Sequence, residues 1–213
     1  MKLCYHFTNK EQLESILSEG LKPKYGINSQ LIGNSRKEKV YYSVGEEATI
    51  KIFAAFYEIL LRALDGRISS ELYETYSAEL KQKLANSHDV ESFMGEGLYL
   101  FFDGDTLNNF NEEKLKDANT TDTIPPENLY VCVLKDETTG EIVSTKSSDI
   151  VTYFIAKRTN NFKDVMKMVG FFAFDIEKRV EEFRNIPLIV DYIPLSIYYK
   201  LSQSDNYNKR THL

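Results

Sequence analysis

The chain has 213 residues, 42% hydrophobic and 27% charged, which is the usage of one globular domain and excludes a disordered chain. Its formal charge of −6 argues against general binding to phosphate backbones. Two cysteines make no disulfide framework and predict a reducing compartment.

Leu3 to Phe7 is short, apolar and aromatic and predicts a strand with His6 near its end. Met1 to Phe7 has one lysine but no sustained apolar region and no small-residue cleavage site, so no export signal is expected and the location is predicted to be cytoplasmic. Thr8 and Glu11 have capping-box spacing, and Leu13, Ile16 and Leu17 mark a helical face that stops at Gly20. Lys22 to Glu38 is polar and predicts a loop. Lys39 to Ser43 predicts a second strand. Ser43 and Glu46 form a second capping-box pattern, ahead of a long amphipathic helix carrying Ala48, Ile52, Phe53, Phe56, Ile59, Leu60 and Ala63. Its apolar stretch is far shorter than the roughly 18–20 residues a membrane span needs.

Leu72, Tyr73, Tyr76, Leu80 and Leu84 predict a further helix, and Gly97 to Phe102 a strand. Thr106 to Asn128 reads as a long polar loop, with Phe110 and Leu115 able to support a short helix. Leu129 to Leu134 and Glu141 to Thr145 flank a turn sequence and predict a hairpin. Asp149 to Arg158 is ambiguous between helix and strand. Val169 to Phe174 and Leu188 to Tyr192 are strand candidates. Ile176, Val180 and Phe183 have helical spacing, and Ser196 to Leu201 predicts a terminal helix. The mixture is α+β, with about six strands and at least three helices in a single domain over 1–213.

Much chemistry is excluded. The histidines are far apart, and no HExxH, CxxC, P-loop, strand-to-helix GxGxxG or GxSxG pattern occurs. No metal is expected. Cys4 and Cys132 sit in apolar strands and read as buried thiols.

What remains is Tyr5-His6-Phe7-Thr8, a helix ending in Leu13-Glu14-Ser15-Ile16-Leu17, and then Gly20-Leu21. This resembles the opening of ADP-ribosyltransferase-like domains, a superfamily that includes DNA-targeting ADP-ribosyltransferase toxins and RNA 2′-phosphotransferases. Val40-Tyr41-Tyr42-Ser43 looks like the second motif strand, and Val190 to Leu195 resembles the closing strand and Ile-Pro turn. The match covers about a fifth of the chain.

The resemblance implies an ADP-ribosyltransferase-like split β-sheet core, with a helical insertion at about 65–93 and the polar loop at about 106–128. It implies NAD as substrate, bound without metal, and transfer of ADP-ribose to a macromolecular acceptor, a protein rather than a nucleic acid. His6 would bind the ribose, with Thr8 on the same strand face. Tyr41 or Tyr42 would stack on nicotinamide near Ser43, with Tyr99 competing because Gly97-Leu98-Tyr99 also resembles the second motif. A late-strand glutamate would oppose the positive ribose as nicotinamide leaves. No glutamate stands in Leu188 to Asp191, so Glu181 and Glu182 are the candidates, with Glu96 as another. That departure keeps a rival open: an inactive relative used as a protein-interaction module. A phosphotransferase reading would rest on Arg36, Lys37 and Lys39.

Overall fold

The computed structural model describes residues 1–31, 38–112, 118–170 and 172–204. Arg36, Lys37 and Leu115 lie outside them. The fold is α+β, built on one eight-stranded sheet in which every pairing is antiparallel. Its strands are β1 (Leu3–Asn9), β2 (Val40–Val44), β3 (Gly97–Asp103), β4 (Asn111–Glu112), β5 (Ala118–Thr120), β6 (Tyr130–Asp136), β7 (Ile142–Ser144) and β8 (Leu188–Pro194). The order is β4-β5-β2-β1-β3-β6-β7, and β8 also pairs with β6.

The β1–β3 ladder is continuous from Leu3↔Asp103 to Asn9↔Gly97. On its other edge, β1 meets β2 at only two positions, Cys4↔Val44 and Tyr5↔Ser43. Beyond them β2 pairs with β5 instead, at Val40↔Thr120, Tyr41↔Asn119 and Tyr42↔Ala118. The sheet therefore parts between two of its central strands, and His6 is the first β1 residue past the last pair.

Strand alternation sorts the core into two layers. Tyr5, Tyr99, Phe101, Cys132 and Leu134 face one cluster, which packs against α3 (Gly45–Leu64), α7 (Ser147–Arg158), α8 (Phe162–Val169) and α9 (Phe172–Asn185). Cys4, Leu98, Leu100, Phe102, Val131 and Val133 face the other, closed by Leu13 and Ile16 of α1 (Leu13–Glu19) and by Tyr198 of α10 (Leu195–Ser202). Helix α3 buries Ile50, Phe53, Phe56 and Leu60, and each such side chain contributes about 1.5–3 kcal/mol of transfer free energy. Between α3 and β3 stand three short helices, α4 (Ser70–Glu74), α5 (Ala78–Asn86) and α6 (Val90–Met94).

Several expectations change. The Thr8–Glu11 capping box does not form: β1 runs on to Asn9, and α1 starts at Leu13 without a side-chain cap. Ser43 stays inside β2, and its hydroxyl bonds Thr49 Oγ1 at 2.6 Å rather than capping α3. Sheet pairing and burial outweigh about 1 kcal/mol of cap at both positions. The capping box that does form is Asp89 with Ser92 at the start of α6. The polar loop from Lys22 contains α2 (Ile27–Leu31), and the later polar loop contributes β4 and β5. The Leu72 to Leu84 helix is two helices, α4 and α5. Val169 to Phe174 is not a strand: α8 ends at Gly170, with φ 57°, and α9 begins at Phe172. Asp149 to Arg158 is helical within α7.

Gly20 closes α1 at φ 78° and ψ 174°, a region open essentially to glycine alone. A β-carbon there would stand 2.7 Å from the Ile124 carbonyl oxygen, where Leu21 and Ile124 form a β-bridge. Gly20→Ala should therefore lower stability by at least about 1–3 kcal/mol. Urea denaturation should show this as a fall in midpoint at unchanged slope.

Candidate functional site

A cleft of about 410 Å³ opens where β1 and β2 part, a size ordinary for a small-molecule site. His6, Phe7, Thr8 and Asn9 of β1 line it, as do Val40 to Ser43 of β2, Tyr99 of β3, the segment Gly20 to Gln30, and Glu79 and Lys83 of α5. His6, Thr8, Tyr42, Ser43 and Tyr99, five residues singled out from the sequence, thus share one cleft.

The His6 ring spans the parting. Its Nδ1 lies 2.7 Å from the Tyr41 carbonyl oxygen. A carbonyl only accepts, so Nδ1 carries the proton and donates it. Burial holds the imidazole pKa below its ordinary value, against the smaller opposing effect of the Tyr41 carbonyl. The ring is therefore neutral at pH 7, with Nε2 as an acceptor. No hydrogen-bond partner stands at Nε2 among the described residues. Such an atom suits a hydroxyl that donates to it.

Two of the three tyrosines expected to stack, Tyr42 and Tyr99, are core residues, while Tyr41 is half-buried and lines the cleft. Tyr42 is 3% exposed, lies edge-on to Phe102 at 5.2 Å, and donates its hydroxyl to the Asn119 carbonyl at 3.2 Å. Tyr99 is 4% exposed and makes edge contacts with Phe7 at 6.0 Å and Tyr5 at 6.4 Å. Both contribute to the wall without offering an open ring face. Thr8 is buried. Ser43 is spent on Thr49 and, at 3.3 Å, on the Tyr5 carbonyl.

The structure does not bring the expected acids to the cleft. Glu181 and Glu182 are exposed on α9, paired within that helix to Arg184 and Lys178. The helical spacing of Ile176, Val180 and Phe183 turns that face inward and the glutamates outward. Glu96 is exposed before β3 and pairs with Lys10 at 2.8 Å. Among the described lining residues the acidic side chain is Glu79.

The lining is otherwise basic. Lys22, Lys24, Lys39 and Lys83 reach the cleft, although the whole chain is acidic. Lys22 pairs with Glu19 at 3.0 Å. Lys83 lies over the Phe93 ring, and burial lowers its pKa. Tyr25, 40% exposed, stands among these lysines. Sequence reasoning passed over Lys24, Tyr25, Glu79 and Lys83. The available signal was the run Lys22-Pro23-Lys24-Tyr25, basic residues interleaved with an aromatic.

Both cysteines are buried, and burial pushes the Cys4 thiol up to about 12 and the Cys132 thiol up as well, so neither is a nucleophile. Among the described residues no group of histidine, cysteine and carboxylate is placed to hold a metal ion. No helix among them is long and apolar enough to cross a membrane. No protein-family model matches the chain, and no curated protein or solved structure matches it either.

The depressed His6 pKa has a definite sign in stability. Below about pH 6.5 the unfolded chain protonates this histidine while the folded one resists. Its stabilising contribution is present above pH 6.5 and is lost as pH falls toward the folded pKa. His6→Asn keeps an N–H donor for Tyr41 and removes the titration. Urea midpoints from pH 7.5 to 5 should fall less steeply for this variant than for the parent.

Proposed function

We propose that the cleft binds NAD and that the protein transfers ADP-ribose from it to a macromolecular acceptor, a protein rather than a nucleic acid. The observation that carries this reading is His6: a neutral imidazole, held by the Tyr41 carbonyl, whose open acceptor Nε2 suits a ribose hydroxyl. The parting of the sheet beside His6 supports an ADP-ribosyltransferase-like split core. The lysines of the lining suit the diphosphate, and bonds to charged groups are the stronger kind.

In the transfer, the bond from ribose C1′ to the nicotinamide nitrogen breaks and nicotinamide leaves neutral, taking the electron pair. An acceptor nucleophile then bonds to C1′ and gives up its proton to solvent. Positive charge develops on the ribose in between. Glu79 replaces Glu181 and Glu182 as the candidate carboxylate opposing that charge.

One observation favours the second reading, a catalytically inactive relative that serves as a protein-interaction module and here keeps the nucleotide cleft: none of the described strands delivers a glutamate to the cleft.

Two parallel assays test both readings. NAD at millimolar concentration should raise the melting temperature of the parent protein. His6→Asn should weaken NAD binding about 5- to 10-fold, the loss of one hydrogen bond. Glu79→Gln should leave NAD affinity nearly unchanged and slow nicotinamide release by about 10²–10³. Binding without release in the parent would support the module and overturn the enzyme. No thermal shift at millimolar NAD would overturn both.

A further inference from the structure

We infer that Tyr25 is the platform on which this cleft stacks the aromatic base of a nucleotide, with Lys24 and Lys39 holding its phosphates. The inference shares the cleft of the NAD reading but rests on different residues.

Three other aromatic residues of the cleft, Tyr42, Tyr99 and Phe7, have engaged rings. Tyr42 packs against Phe102 and Phe110, Tyr99 against Tyr5 and Phe7, and Phe7 also against Phe56. Tyr25 differs: it is 40% exposed and meets no other ring among the described residues. An exposed aromatic on the wall of a concave site is what a base needs, because every base has a π-face.

Its loop is also held in place. At one end Leu21 exchanges two backbone hydrogen bonds with Ile124, at 2.8 and 3.0 Å. At the other, Leu31 of α2 is fully buried and its carbonyl accepts from the Tyr76 hydroxyl at 3.2 Å, while Gln30 accepts from the Ser77 amide at 3.0 Å. A platform fixed before binding loses less entropy when the base arrives.

The surrounding charge selects the kind of aromatic ligand. Lys24 and Lys39 line the same cleft and make no ion pair among the described residues. Behind the larger effect of Lys22, Lys24 also helps to hold the Glu19 carboxyl below its ordinary pKa, but lysines outside ion pairs beside an open ring favour a base that carries phosphate over a neutral aromatic molecule.

Isothermal titration of the full chain tests this, with ADP, nicotinamide mononucleotide and NAD as ligands and ribose 5-phosphate as the baseless control. Tyr25 is a surface residue, so Tyr25→Ala should fold normally, and urea denaturation checks it. Tyr25→Ala should weaken at least one nucleotide by about 5- to 150-fold, the value of one base stacked on an aromatic. Tyr25→Phe should keep parental affinity, and ribose 5-phosphate should not distinguish Tyr25→Ala from the parent. Lys24→Gln should weaken ADP and flatten its salt dependence. Whether ADP or nicotinamide mononucleotide responds tells which half of a dinucleotide lies on Tyr25. Tyr25-dependent ADP binding without NAD binding would support this inference and overturn the NAD reading. NAD binding with no nucleotide weakened by Tyr25→Ala would overturn the inference alone. A parent that binds none of the nucleotides would overturn both.

Discussion

The arrangement depends on where the β1–β2 ladder stops. After Tyr5↔Ser43 the two strands no longer exchange backbone hydrogen bonds, and β2 turns its pairing to β5. A parted sheet exposes backbone groups that must find partners. The His6 imidazole supplies one by bonding the Tyr41 carbonyl. That bond sets the tautomer, burial keeps the ring neutral, and the other ring nitrogen is left toward the cleft. One hydrogen bond thus joins the architecture to the chemistry.

The two cores on either side keep this parting rigid. Tyr5 and Phe7 lie on the helical face, while Cys4 and Thr8 alternate to the other with His6. Gly97, opposite Asn9, leaves room for the Phe7 ring, which a β-carbon would meet at 2.6 Å. Tyr42 of β2 and Tyr99 of β3 are consumed by this packing. They shape the cleft wall, and Lys22, Lys24, Tyr25, Glu79 and Lys83 reach it from the α1–α2 loop and from α5.

The charge follows the same division. The sheet strands bring one histidine and no acid to the cleft among the described residues, and the lysines and Glu79 come from loop and helix. The histidine and the charged side chains of the lining therefore come from different parts of the fold, the first from a central strand and the others from the loops and from α5. This explains how a chain of net charge −6 presents a basic site.

The strands β1, β2, β3, β6 and β8, the long helix α3 and the hairpin of β6 and β7 were legible in the residues, because each carries its own apolar period or turn chemistry. The grouping of His6, Thr8, Tyr42, Ser43 and Tyr99 was legible through a family resemblance. Tertiary structure alone decided their roles. Thr8 and Ser43 look like helix caps, yet strand pairing and burial claim them. Tyr42 and Tyr99 look like stacking surfaces, yet both sheet faces are covered. Glu181 and Glu182 lie close in sequence to β8, but the inward face of α9 turns them to solvent. Lys24, Tyr25, Glu79 and Lys83 carry no local period that marks a site. They become one only because the bridge of Leu21 to Ile124 and the packing of α2 on the segment joining α4 to α5 set them around the parted sheet. Local sequence determines which elements form, whereas a site joins side chains far apart in the chain, and their proximity is set by long-range packing.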